Sequence, residues 1–160
     1  VIEVTIDDGA WTLAEPRAVA LAEAAAAAAL AHAGREAGSE LVILLTDDAR
    51  VQGLNARFRG ADAPTNVLAF PAPAPGRHLG DIALAFGVCA REAAEQDKPL
   101  AHHLQHLAAH GVLHLLGYDH QTDAEAESME ARERAILAGL GVPDPYAARG
   151  APGDDGQPGH

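Results

Sequence analysis

The chain has 160 residues, of which 48% are apolar and 4% aromatic, and a formal net charge of −12. That length suits one domain with a sizeable core and is short for two ordinary ones; much of the apolar share is alanine, and no stretch of 18 or more apolar residues has the bulk of a membrane span. The acidic balance argues against a general affinity for nucleic acid, because phosphate neutralisation drives that binding.

Val1 to Ile6 alternates branched apolar and polar residues and reads as an opening strand, with neither the basic end nor the apolar block of a signal peptide. The alanine-rich stretch from Leu13 to about Ala33 predicts one helix, with Pro16 near its first turn and Gly34 behind it. Glu40 to Thr46 holds the run Leu41-Val42-Ile43-Leu44-Leu45, which suits a strand buried on both faces. Asp47 and Asp48 can cap a helix over about Ala49 to Phe58 that Gly60 ends. Thr65 to Phe70 is a third strand, and Pro71 to Gly76 is expected to be an extended or irregular, mobile connection. Leu79 to Phe86 is a fourth strand. A helix from Val88 to Asp97 follows, carrying Cys89, the single cysteine, which fits a buried small hydrophobe in a reducing cytoplasm.

Pro99 opens a long helix to about Leu116, and Asp123 to Leu140 forms the last, with Met129, Ile136, Leu137 and Leu140 at the spacing of core packing. Residues 149–160, rich in proline, glycine and charge, are expected to be a disordered tail behind a domain of residues 1–148. Strands early and helices late predict an α+β fold: a small four-stranded mixed sheet covered by about five helices, with the histidine-bearing helix inside the packing.

Chemistry concentrates in His110-Gly111-Val112-Leu113-His114-Leu115-Leu116-Gly117-Tyr118-Asp119-His120, which holds three of the nine histidines. Residues four apart share a helix face, so His110 and His114 can offer two imidazoles to one ion. Gly117 stands where a helix would stop, and the turn after it could return His120 as a third ligand. Three histidines with an open fourth position suit a catalytic zinc, and one cysteine excludes a closed thiolate site. Zinc in such a site lowers the pKa of bound water to roughly 7, or polarises a phosphoryl oxygen. His103 and His106 share the helix but are left outside the metal shell.

Charge is also uneven along the chain. Residues 49–80 carry Arg50, Arg57, Arg59, Asp62 and Arg77, a balance of +3 in loop-like sequence, whereas residues 119–133 carry a balance of −5 that reads as a solvated helix face.

The eleven-residue segment resembles, at every fixed position, the HGxLHLxGYDH motif of the YbeY family of bacterial endoribonucleases. Leu54-Asn55 through Arg59 and Asp62 to Pro71 resembles that family's LNxxxRxxDxPTxVLSFP segment, and Leu79-Gly80-Asp81-Ile82 its LGDI strand. Met129-Glu130 and Asp144-Pro145-Tyr146 also match, so the likeness spans about Leu41 to Tyr146. Ala69 stands where serine is usual, and the proline-rich run from Ala72 to Pro75 is this chain's own.

The resemblance implies a zinc-dependent, single-strand-specific endoribonuclease of ribosomal RNA maturation, at the 3′ end of small-subunit RNA, and of ribosome quality control. It implies one zinc ion on His110, His114 and His120, with Arg59 serving the scissile phosphate and His114 and Arg59 forming the catalytic pair. Ribosomal RNA, a ribosomal protein or an accessory GTPase are the expected partners, in the cytoplasm, with no membrane and no DNA. Arginine's planar fork can grip two phosphate oxygens, which suits Arg59; Arg57 and Arg50 read as exposed residues without a role, with assistance in RNA docking as the alternative.

The general base stays open. Asp119 reads equally as a carboxylate orienting His120 or as a turn residue, Asp81 as structural, and Tyr118 as packing. Water and the RNA 2′-hydroxyl are both open as nucleophiles. Two rival readings are a metallopeptidase, which needs a glutamate where Gly111 stands, and a non-catalytic ribosome-associated factor with structural zinc.

Overall fold

The computed structural model describes residues 1–35, 37–74 and 76–147. Among these, four strands form one mixed sheet in the order β1-β2-β4-β3, where β1 is Ile2–Ile6, β2 Glu40–Thr46, β3 Val67–Pro71 and β4 His78–Ala85. β1 runs parallel to β2 and β2 parallel to β4, while β3 pairs antiparallel with β4, Ala69 opposite Ile82. Six helices accompany the sheet: α1 (Ala10–Ala14), α2 (Ala18–His32), α3 (Asp48–Arg59), α4 (Phe86–Glu95), α5 (Leu100–Leu115) and α6 (Asp123–Gly139). The α+β class with a small four-stranded mixed sheet is as expected; the expected tail, residues 149–160, lies outside the described residues.

Side chains alternate across a strand, so the sheet feeds two apolar clusters. Leu41, Ile43 and Leu45 of β2 join Ile82 and Leu84 of β4 under α2 and α5, in the main core. Leu44, Ala83 and Leu68 meet Val51 of α3 in a smaller cluster. α5 packs against β3 and β4 and also against α2, α4 and α6, so the histidine-bearing helix is inside the packing.

One expectation is corrected. The single helix predicted from Leu13 to Ala33 is two, because Glu15 is extended at φ −140 and ψ 95. A residue before proline is sterically pushed out of the helical region, and Pro16 follows it. The short α1 is held instead by Trp11, fully buried, whose Nε1–H donates to Thr46 O at 3.0 Å and whose ring meets Phe86 edge-on at 5.3 Å. Pro71, first in the stretch expected to be extended or irregular, is extended and ends β3 at the sheet's edge, where a missing N–H costs no ladder bond.

Helix caps are set locally: the Asp47 cap is as expected, and the one at Thr122 was not read from the sequence. Asp47 accepts from Arg50 N–H at 2.7 Å at the start of α3, and Thr122 with Glu125 forms a reciprocal capping box at the start of α6. Cys89, Met129, Ile136 and Leu137 are buried. No helix among the described residues is long and apolar enough to cross a membrane.

Candidate metal centre

α5 ends in a reversal that depends on Gly117. Its φ of +99 is open to glycine and strained for other residues. Tyr118 N–H donates to Leu113 O and Gly117 N–H to His114 O, both at 3.0 Å, which satisfies carbonyls the helix would leave open. The chain then doubles back and carries His120 to the pair on the helix. Ring centroids of His110 and His114 are 4.6 Å apart, and the His120 ring is 5.5 and 5.1 Å from them. One nitrogen from each of the three lies within 4.8 Å of the others, so the cluster could hold a metal ion. His110 and His114 are half-buried and His120 is exposed, which leaves the group open on one side.

Behind His110 stands Glu133, only 1% exposed, reaching in from α6. It accepts from His110 Nδ1 at 2.6 Å and from His106 Nε2 at 2.8 Å, and from the Tyr146 hydroxyl. Burial alone would raise its pKa, but the two histidine hydrogen bonds outweigh it and hold the carboxyl well below the usual range. An ionised carboxylate only accepts, so the nitrogens facing it carry the protons. His110 is thereby fixed with its proton on Nδ1 and its Nε2 lone pair available, the tautomer a ligand needs.

His106 is depressed by burial, against the pull of Glu133, so it is a neutral donor to Glu133 and lies outside the three-histidine group. The sequence places Glu133 in the acidic run read as a solvated helix face, and its burial at 1% exposure corrects that reading for this residue. Its signal was there: Met129, Ile136, Leu137 and Leu140 define an apolar stripe, and Glu133 stands within it four residues after Met129.

Burial first, and the electrostatic influence of the neighbouring His110, His120 and Arg59 after it, push the His114 pKa down to about 4. Its imidazole is neutral at neutral pH, the form that binds metal. The same influence places Arg59 within electrostatic reach of the cluster. Arg59 ends α3, donates from Nη2 to Ala69 O at 2.5 Å, and lies 5.6 Å from the Phe70 ring centroid.

Asp119 accepts from the His120 backbone N–H at 2.7 Å and so shapes the turn. Asp81 pairs with His78 at 3.3 Å, His103 with Glu92 at 2.8 Å, and Arg50 with Asp7 at 3.6 Å. Tyr118 packs against the main core beneath the Arg132 guanidinium.

Gly111 faces the sheet. A Cβ there would stand 3.0 Å from Ile82 Cδ1 and Cγ2, so the residue after the first ligand is small because α5 crosses β4 closely. A glutamate at this position would point into Ile82 and not towards the histidines, which removes the geometric basis of the peptidase reading.

The model of the family described as "Endoribonuclease YbeY" matches residues 4–141. A Rhodopseudomonas palustris (strain BisB5) protein named Endoribonuclease YbeY is 52% identical over 91% of this chain and 80% of its own length. A protein of the same name from Azorhizobium caulinodans is 52% identical over 91% of this chain and 96% of its own. A Thermotoga maritima protein with a solution structure shares the fold at a TM-score of 0.55 and 22% identity, covering 100% of this chain and 99% of that one. With the family model spanning most of the chain and relatives this similar, the chain belongs to the endoribonuclease YbeY family.

Proposed function

We propose that this chain is a zinc-dependent endoribonuclease specific for single-stranded RNA, acting in ribosomal RNA maturation at the 3′ end of small-subunit RNA and in ribosome quality control. The observation that carries the metal-dependent part is the nitrogen cluster of His110, His114 and His120 with Glu133 behind His110. RNA as substrate is supported by the family description and the relatives' names, and the ribosomal role by the motif resemblance. Residues 1–148 would form one hydrolase domain, working in the cytoplasm, with a ribosomal protein or an accessory GTPase as partner.

The donor set fits zinc. Three imidazoles suit a borderline-soft ion, whereas magnesium and calcium prefer oxygen ligands. Among the described residues the cluster has three members, which favours a catalytic site with an open position over a closed structural one. When bound, zinc supplies Lewis-acid polarisation of a phosphoryl oxygen.

The chain's own residues do the rest. Glu133 holds the proton on His110 Nδ1, and burial keeps His114 neutral, so two ligands are ready before any ion arrives. Arg59, anchored through Ala69 O, offers its remaining N–H groups to the charge that develops on the phosphate.

Metal analysis with cleavage of single-stranded and duplex RNA tests this. His114→Ala should lose both metal and cleavage; Arg59→Glu should lose cleavage, by about 100-fold or more, with metal content intact. Normal cleavage by the arginine variant would remove the phosphate role. Purified protein without metal, indifferent to chelators, would remove the site. The chemistry of the product ends separates water from the 2′-hydroxyl as nucleophile.

A further inference from the structure

The basic stretch that precedes the metal centre carries an aromatic ring that the fold does not need. Trp11 is fully buried and Phe86 packs against it, whereas Phe58, in the last turn of α3, is 62% exposed. An isolated exposed apolar residue needs no explanation, but Phe58 is not isolated.

Its ring is braced edge-on by Phe70, with centroids 5.6 Å apart at 66°. The Arg57 guanidinium lies 5.5 Å from its centroid, and the Arg59 guanidinium 5.6 Å from that of Phe70. Two aromatic rings and two arginines thus form one patch, in a stretch of charge +3 on a chain of −12. A polyanion is repelled by most of this surface and attracted here.

Phe70 packs on the α3 face of the sheet, opposite α5, and the patch meets the histidine-bearing helix across the edge strand β3, whose Ala69 O takes Arg59 Nη2 and against which α5 also packs. Phe70 O and Leu115 Cδ2 both crowd the space that a Cβ on Gly80 would take, and Leu115 follows His114 directly.

We propose that Phe58 is a stacking platform for one unpaired nucleobase of the RNA, placed beside the phosphate that Arg59 receives, with Arg57 adding a cation to the stack. The identity of the substrate rests on the endoribonuclease reading above. A base inside a duplex already has both faces covered by its neighbours, so the platform rewards only a base free to leave the stack. Every base has a π-face, so it tolerates many sequences. Strand selection is thereby separated from the metal: the histidines serve any phosphodiester that arrives, and Phe58 decides which strands arrive well.

The test compares wild type with Phe58→Ala, Phe58→Leu and Phe58→Trp in the full zinc-loaded protein, by steady-state cleavage of a single-stranded RNA. Binding of a fluorescent single-stranded oligoribonucleotide is measured in parallel, with a chelator present to stop cleavage. Loss of one base–aromatic stack predicts that alanine and leucine raise KM and the binding Kd about tenfold with kcat within about twofold, and that tryptophan restores both. Wild-type KM and Kd in the alanine and leucine variants would overturn the platform. So would a tryptophan variant as poor as alanine, because packing and not stacking would then be at issue. A wild type that binds the oligomer through Phe58 but never cleaves it would leave the platform standing and remove the nuclease reading.

Discussion

Exchanging Glu133 for glutamine tests whether the buried carboxylate sets the metal affinity of the cluster. The shape is kept, but the charge goes and one of two acceptor oxygens becomes an NH2 donor. Glu133 takes donors on both oxygens: His106 Nε2 and Tyr146 OH at Oε1, and His110 Nδ1 at Oε2. If the amide nitrogen faces His110, that ring must move its proton to Nε2, where the ion needs a lone pair. If it faces His106 and Tyr146, two donors lose an acceptor at a site 1% exposed.

One lost hydrogen bond to a charged acceptor costs about 1.5–3 kcal/mol. At about 1.4 kcal/mol per tenfold, zinc binding should weaken roughly 10- to 100-fold, in the range found when a carboxylate behind a ligating histidine is removed. Competition against a chromogenic chelator gives the Kd, and nitrogen spectra of the imidazoles give the tautomer. A folded Glu133→Gln protein that binds zinc within about twofold of wild type, with Nδ1 of His110 still protonated, would refute the reasoning.

Gly111→Ala should destabilise the protein by about 1–3 kcal/mol, read as a fall of several degrees in the melting midpoint, because its Cβ would press on Ile82. Adding Ile82→Val should recover part of the loss; no recovery would place the strain elsewhere. The metal-free protein should lose stability in acid through His114. Its pKa is about 4 in the fold against 6.5 for an ordinary histidine, so the unfolded chain binds more protons between those values. The contribution is fully present above about pH 6.5 and is lost as pH falls towards 4, of order 1–2 kcal/mol after allowance for partial exposure. Melts at about pH 7 and 4.5 should therefore differ less in His114→Gln than in wild type, and an equal difference would acquit His114.

What was legible from the chain follows from how far its causes reach. The His110 and His114 pair, the stop at Gly117 and the return of His120 are set within eleven residues, and local spacing with a left-handed glycine suffices to read them. The break at Pro16 was just as local, through the restriction on Glu15, but the helix propensity of the alanine run masked it. Glu133 acts on His110 across 23 positions, and only the docking of α6 on α5 makes the meeting. The pairing of β2 with β4 is likewise non-local, since strand patterns give faces and not neighbours. That Phe58 is left outside depends on the whole surface around it.

The placement of α5 has one more consequence. The helix that presents two of the three imidazoles is also the one against which β3, β4, α2, α4 and α6 pack. The native cluster exists only while that helix is docked, so an ion bound there favours the folded chain by mass action. At a free ion concentration about a hundredfold above Kd the gain is about 2.7 kcal/mol. The fold therefore reports on its own occupancy: a denaturation midpoint followed against buffered free zinc yields the affinity directly, with no RNA in the cuvette.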